Sequence, residues 1–181
     1  WSFISPDYFT EVLNGETAIQ KDSLLLTFDD GFASNRKVVE EVLNPMGIKA
    51  LFFIISDFVS IEDYEESRQF IVKHIHPGKS LDNLPKHLKN MSWEDIEALL
   101  DQGHTIGAHT KSHARLSEIK TSCGLFDEIV SSADRLEYQL GTSIEHFAYT
   151  FGDLASLSSQ ALNVAKQRFR YIYSGLRGNN V

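Results

Sequence analysis

Short apolar runs alternate with longer amphipathic stretches along this chain of 181 residues, and that alternation restricts its fold more than any other feature. The runs predicted as strands are 23–28, 50–55, 104–108, 146–150 and 171–173. The stretches predicted as helices are 35–43, the segment capped by Ser92 and ended by Gly103, about 122–140, and 156–168. Strands that alternate with helices favour an α/β fold with a mainly parallel sheet, either open or closed into a barrel.

The segment from about 56 to 90 interrupts this alternation. It is polar, and it contains the turn-forming sequence His76-Pro77-Gly78. We interpret it as a long insertion that covers one rim of the sheet. No internal repeat and no linker rich in Pro, Gly or Ser divides the chain, so we predict one domain over residues 1–181.

Composition excludes several classes of protein. A formal net charge of −8 argues against a nucleic-acid scaffold. The longest apolar run, 50–55, is too short to cross a bilayer. Cys123 is the only cysteine, which rules out an internal disulfide and a zinc site built from several cysteines. Any metal site must therefore use His and carboxylates. The oligomeric state and the location, cytoplasm or cell envelope, stay open.

Polar residues that follow three of the predicted strands are the candidates for chemistry, because functional groups of parallel α/β proteins gather at the carboxyl ends of strands. Asp29 and Asp30 follow the first strand. In one interpretation, one of them caps a helix while Gly31 supplies a turn. In the other they mark a cation site, since adjacent carboxylates at a buried strand end repel each other and raise one pKa unless a cation lies between them.

His109 and His113 follow the third predicted strand. The spacing His-x-x-x-His is expected to place two imidazoles on one face of a helical turn, as zinc requires. Together with Asp30 they form a set of two histidines and one carboxylate, which leaves coordination positions for water and substrate. The remaining histidines are interpreted as structural or solvated: His74, His76, His87, His104 and His146.

The sequence Phe147-Ala-Tyr-Thr-Phe-Gly152 follows the fourth predicted strand. In one interpretation it contributes core aromatics and a turn. In the other, its backbone N–H groups face the metal and form an oxyanion hole. The residues alone leave both interpretations open.

Two of these motifs resemble those of a known family. Leu26-Thr-Phe-Asp-Asp-Gly31, followed by Gly103-His-Thr-Ile-Gly-Ala-His-Thr-Lys-Ser-His113, resembles the polysaccharide deacetylase family, the NodB homology domain of carbohydrate esterase family 4. The similarity covers nearly the whole chain outside the insertion, through Ala50–Ile54, Met91–Trp93, Leu116–Ser117 and Phe147–Gly152. It implies a distorted (β/α) barrel and a NodB-like catalytic domain.

The resemblance also implies roles for individual residues. Asp29 matches the catalytic base, and Asp30, His109 and His113 match the metal ligands. Zinc is the default ion, and cobalt, nickel or iron suit the same donors. In the third motif Ala148 stands where the family often has Arg, although Ala148–Gly152 resembles the variant of one sub-branch. Phe151 is expected to supply its backbone N–H to the oxyanion, a role that needs no particular side chain.

The activity implied is metal-dependent hydrolysis of N-acetyl, or alternatively O-acetyl, groups on a polysaccharide or other acetylated glycan. Two alternatives stay open: a catalytically impaired glycan-binding homologue, and a magnesium-dependent phosphohydrolase. The family's Leu-x-His motif, which supplies the general acid, is not found after Gly152, and a strand with a Tyr-His pair is expected before Trp1. We therefore expect a domain that is incomplete at both ends and deficient in turnover.

Overall fold

A parallel sheet of five strands forms the centre of the computed structural model, which describes residues 1–178. The strands lie side by side in chain order, and the sheet curls like part of a barrel wall. They are β3 (Thr27–Phe28), β4 (Leu51–Ile54), β5 (Thr105–Ala108), β6 (His146–Ala148) and β7 (Tyr171–Tyr173). The prediction of a parallel α/β sheet is confirmed, and β3 and β7 form its two edges.

The predicted strand 23–28 is split between two sheets, so the prediction of one continuous strand was wrong. Its first part, β2 (Ser23–Leu25), pairs with β1 (Ser2–Ile4) in a separate two-stranded parallel sheet, and only β3 joins the main sheet. The two parts of the run pair with different strands, β2 with β1 and β3 with β4. The β1 segment, which has no apolar run of its own, offers a hydrogen-bonding edge to the first part alone.

Helices connect the strands and flank the sheet. They are α1 (Pro6–Leu13), α2 (Ala33–Val38), α3 (Tyr64–Phe70), α4 (Trp93–Asp101), α5 (Ser122–Phe126), α6 (Ser132–Leu140) and α7 (Ser159–Arg168). π-Helical turns extend α2 over Val39–Leu43 and α3 over Ile71–Ile75, and a third, Asp127–Ser131, joins α5 to α6. None of the described helices is long and apolar enough to cross a membrane.

Local capping explains where several helices begin and end. Ser92 and Asp95 form a reciprocal capping box at the start of α4, and Gly141 ends α6 in a left-handed conformation with φ of 63°. The last helix begins at Ser159 rather than 156, because Ser158 is its N-cap. Helix α1 was not predicted from the sequence, although Ser5 caps it and Pro6 occupies its first turn.

The core lies on both faces of the sheet. Phe52, Ile54 and Phe147 belong to the larger cluster, which packs against apolar side chains of the helices. Phe53 and Ala148 lie on the other face in a smaller cluster with Leu51, packed against Tyr173. All four residues of β4 are buried, as expected of a central parallel strand.

The segment 56–90 packs around a small apolar cluster of its own, formed by Ile55, Phe58, Ile71, Ile75 and Leu84. Arg68, a buried charge in α3, donates hydrogen bonds to the carbonyl oxygens of Leu81, Leu84 and Pro85. These contacts tie the later part of the segment to α3. The segment also lies against the loop that follows β5, where it contacts the candidate site described below.

Gly107 in β5 supports a prediction on stability. It pairs with Phe53 in β4, and a Cβ there would lie 2.8 Å from two Phe53 ring carbons and 3.0 Å from the Cβ of His146. We expect Gly107→Ala to lower the free energy of unfolding by about 1–3 kcal/mol through overpacking. Urea unfolding measures this, with Gly178→Ala as the control because a Cβ there meets nothing within 4 Å. Equal stability of the two variants would contradict this packing.

Candidate metal centre

His109 and His113 are brought together by a loop and not by a helix. β5 ends at Ala108, and residues 109–113 have no helical hydrogen bonding. Thr110 and His113 have left-handed backbone conformations, with φ of 63° and 62°. The Thr110 hydroxyl oxygen accepts a hydrogen bond from the His113 N–H at 3.0 Å, which closes the turn. The expected helical turn was therefore wrong, although the two imidazoles do meet.

Each of the two imidazoles is oriented by a backbone carbonyl. The Nδ1 atom of His109 lies 2.9 Å from the carbonyl oxygen of Ala148, and that of His113 lies 2.9 Å from the carbonyl oxygen of His74. A carbonyl only accepts, so each Nδ1 carries the proton and donates, which leaves Nε2 with a free electron pair. Burial lowers the pKa of both histidines to about 4, and they are neutral at pH 7.

Asp30 completes a cluster of electron-pair donors. Its Oδ1 atom lies 3.5 Å from Nε2 of His109 and 3.4 Å from Nε2 of His113. This oxygen is buried and has no hydrogen-bond donor among residues 1–178. Burial and, next, the charge of Asp29 raise the pKa of Asp30 to about 7. A buried oxygen that faces two unprotonated nitrogens is an arrangement that a cation stabilises.

The spacing of these atoms fits a small divalent ion. Bonds of zinc to imidazole nitrogen or carboxylate oxygen of about 2.0–2.2 Å in a tetrahedron separate the ligand atoms by about 3.3–3.6 Å. The observed separations of 3.4 and 3.5 Å between Asp30 and the two histidines agree with this geometry. Each of the three side chains offers one ligand atom, and these atoms all lie within 4.8 Å of one another, close enough to bind one ion. Three protein ligands leave a position for water or substrate.

Asp29 does not cap a helix. α2 begins only at Ala33, and its N-cap is Phe32, which makes no side-chain cap. The capping interpretation is thus wrong for both aspartates. Asp29 lines the cleft that contains Asp30 and both histidines, and it is the more exposed of the two aspartates. Loss of water around its carboxylate raises the pKa of Asp29, and nearby His113 opposes this shift.

Phe151 lines the same cleft in a strained backbone conformation. Its φ is 64°, and its ring is 4.7 Å from that of His113. The hydrogen bonds within residues 1–178 include none donated by the Phe151 N–H, so this group is available to a ligand. Left-handed residues of this kind cluster at functional sites, where the surrounding structure holds the strain.

Two further side chains, one behind Phe151 and one in the cleft itself, were not predicted from the sequence. The guanidinium of Arg115 lies 4.2 Å from the ring centroid of Phe151, and its Nη1 is 3.0 Å from Oδ1 of Asp153. Tyr173 lines the cleft from β7, and its hydroxyl is 3.0 Å from Nδ1 of His146. Arg115 lies only two residues after His113, but no spacing rule connects it to Phe151. Their contact exists only after folding.

The remaining histidines differ in their relation to the site. His76 lines the cleft, and His74 contributes its backbone carbonyl, so the segment 56–90 takes part in the site. His87 is exposed, and the Nδ1 of His104 accepts a hydrogen bond from the Ala50 N–H inside the core. The cleft itself encloses about 350 Å³, within the usual range for small-ligand pockets.

Comparison with solved structures reveals the same fold. The BpsB deacetylase domain from Bordetella bronchiseptica gives a TM-score of 0.75 at 15% identity, covering 100% of this chain and 74% of that one. IcaB from Ammonifex degensii gives 0.69 at 20%, covering 95% and 68%. The deacetylase PplD from Streptococcus pyogenes gives 0.68 at 19%, covering 91% and 61%. The predicted distorted (β/α) barrel fold is confirmed, and the chain spans 61% of the length of the streptococcal structure.

Comparison of sequences gives a family as well as a fold. No curated protein sequence matches the chain. A family model described as polysaccharide deacetylase matches residues 17–169, which include both aspartates, both site histidines and Phe151. This match extends over most of the chain and confirms the resemblance that the motifs carry. The chain therefore belongs to the polysaccharide deacetylase family.

Proposed function

We propose that this chain carries the metal centre of a hydrolase that removes N-acetyl, or alternatively O-acetyl, groups from a polysaccharide or other glycan. The observation that carries the proposal is the buried Oδ1 of Asp30, which lacks a donor in the described chain and faces Nε2 of His109 and His113. Family membership supplies the reaction class. The streptococcal neighbour, a deacetylase in complex with acetate, is consistent with release of an acetyl group.

Asp30, His109 and His113 would hold the ion through one oxygen and two nitrogens. A divalent ion bound there would lower the pKa of a water molecule and polarise the acetyl carbonyl. Two nitrogen donors and one carboxylate favour zinc, and cobalt, nickel or iron also suit them. The hydrogen bonds from Nδ1 to the carbonyls of Ala148 and His74 would keep both rings oriented for binding.

Asp29 and Phe151, which both line the cleft, would act on the reacting atoms. The carboxylate of Asp29 would accept a proton from the attacking water as the new C–O bond forms. The N–H of Phe151 would donate a hydrogen bond to the oxyanion made from the carbonyl oxygen. The C–N bond of the acetamide then breaks, which gives acetate and an amine that takes up a proton.

Two other functions are less well supported. A magnesium-dependent phosphohydrolase would need oxygen ligands, whereas two of the three convergent donors here are imidazole nitrogens. A catalytically impaired glycan-binding homologue would have no need to keep Asp29, Asp30 and both histidines together in one cleft. Metal analysis combined with an assay of acetate release distinguishes all three.

The first test of this proposal concerns metal content. We expect His113→Ala to abolish binding of a zinc-type ion, and Asp30→Ala or His109→Ala to weaken it sharply, because a site of three ligands that loses one no longer competes with water. Elemental analysis after dialysis measures the ion. His87→Ala, which removes an exposed histidine outside the cleft, is the control. Equal metal content in His113→Ala and the wild type would refute the assignment.

The second test concerns the base. Asp29→Asn in the full natural protein should keep the metal and slow deacetylation by about 10²–10⁴-fold, the usual contribution of a general base. Mass spectrometry for loss of acetyl from a panel of acetylated glycans measures turnover. Asp22→Asn, a change at an exposed aspartate outside the cleft, serves as the matched control. A wild-type rate for Asp29→Asn would leave Asp30 as the functional carboxylate.

The third test uses pH. Because the pKa of Asp30 is raised to about 7, an ion must displace a proton from it in acidic solution. Metal affinity should therefore be highest above pH 7 and fall about tenfold per pH unit below it. It should fall more steeply as the pH approaches the histidine pKa values of about 4. Competition with a chromophoric chelator measures the affinity, and a dissociation constant unchanged between pH 5 and pH 8 would contradict this order of titration.

A further inference from the structure

We propose that Glu128 is a positioning residue for the metal centre, one that holds residues 110–113 in the conformation that brings His109 and His113 together. This inference rests on the proposed function, since it concerns the same ion. Glu128 lies outside the cleft, in the π-helical turn between α5 and α6. It touches no ligand atom, so its effect is transmitted through the loop.

The carboxylate of Glu128 accepts three hydrogen bonds from residues that separate the two histidines. Its Oε2 atom accepts from the backbone N–H of Lys111 at 3.1 Å and of Ser112 at 2.9 Å. Its Oε1 atom accepts from the Ser112 hydroxyl at 2.6 Å. Two successive N–H groups in a turn form a small concave site for an anion, and hydrogen bonds to a charged acceptor are about twice as strong as neutral ones.

The Lys111 N–H is shared between two acceptors of Glu128, its carboxylate and its backbone carbonyl. The backbone carbonyl of Glu128 accepts a hydrogen bond from the Lys111 N–H at 2.9 Å. An extra residue in a π turn breaks the regular pairing of the helix, and such turns are frequent at functional sites. Both the backbone and the side chain of Glu128 thus bind the same loop. On the other side, the N–H of Asp57 donates to the Lys111 carbonyl at 3.0 Å.

The loop needs such an anchor because its conformation is strained. Thr110 and His113, one on each side of the two anchored residues, have positive φ angles although neither is glycine. Left-handed conformations of this kind persist only where the surroundings hold them. Loss of the Glu128 carboxylate would let the two residues relax, and Nε2 of His113 would move relative to Nε2 of His109.

Asp127 provides a matched control. It is the neighbouring acid in the same π-helical turn, and its Oδ2 atom is 2.8 Å from Nζ of Lys111. This pair is half exposed and involves a side chain rather than the loop backbone. Surface ion pairs of this kind contribute little to the stability of the surrounding structure. A general effect of negative charge near the site would appear for both acids, whereas of the two only Glu128 accepts hydrogen bonds from the loop backbone.

The experiment measures binding of Co²⁺ to the full natural protein by competition with a chromophoric chelator, together with the visible spectrum of the bound ion. We expect Glu128→Ala to weaken binding about 10–100-fold, the usual effect of losing a group that orients metal ligands. The Co²⁺ absorption bands should also shift. Glu128→Gln keeps an oxygen acceptor of the same shape and should recover much of the affinity. Asp127→Asn should bind as the wild type does.

Four results would overturn the inference. The far-UV circular dichroism of Glu128→Ala must first match that of the wild type, and if it does not, Glu128→Gln is measured in its place. Wild-type affinity and an unchanged Co²⁺ spectrum in both Glu128 variants would refute the anchor. So would an equal loss in Asp127→Asn, or a Gln variant as weak as the Ala variant. A wild-type protein that binds no Co²⁺ would overturn the proposed function together with this inference.

Discussion

Three electron-pair donors face one another in a buried cleft, and this repulsive arrangement is the constraint on which the site depends. Oδ1 of Asp30 lies within 3.5 Å of Nε2 of both His109 and His113. Groups of this kind lose hydration when they are buried and gain nothing from one another without a cation. The fold must therefore hold them in place. It does so because β3 and β5 both pair in parallel with β4, which brings the carboxyl-terminal ends of these strands close together.

Strain in the backbone is concentrated at the same place. The described non-glycine residues with positive φ are Asp30, Thr110, His113 and Phe151, and all of them belong to the candidate site or its loop. Each such conformation costs about 1–3 kcal/mol and persists only when neighbouring contacts determine it. Hydrogen bonds within the 109–113 loop, and those that the loop donates to Glu128, supply such contacts for Thr110 and His113. Arg115 packs on the ring of Phe151 and pairs with Asp153, two residues further along the chain.

Much of the framework could be predicted from local patterns. The apolar runs 50–55 and 171–173 coincide with β4 and β7, and the long helix predicted over about 122–140 is found there. Errors arose where a distant partner decided the outcome. The run 23–28 divides because β1 pairs with only its first half. The expected turn of helix at 109–113 is a loop instead, since its amides and hydroxyl bind Glu128 and Thr110 rather than the preceding turn.

The sequence by itself determined the alternating architecture, the family and the five residues named as candidates. Strand length, helical spacing and short motifs depend on residues that are close together in the chain, so they can be recognised without the fold. Only the tertiary structure decided which atoms meet. The carbonyls of Ala148 and His74, each 39 residues from the histidine that it orients, and the contact between Arg115 and Phe151 follow no sequence rule. The reason is that a backbone carbonyl has the same chemistry in every residue, so its role depends solely on where the fold puts it.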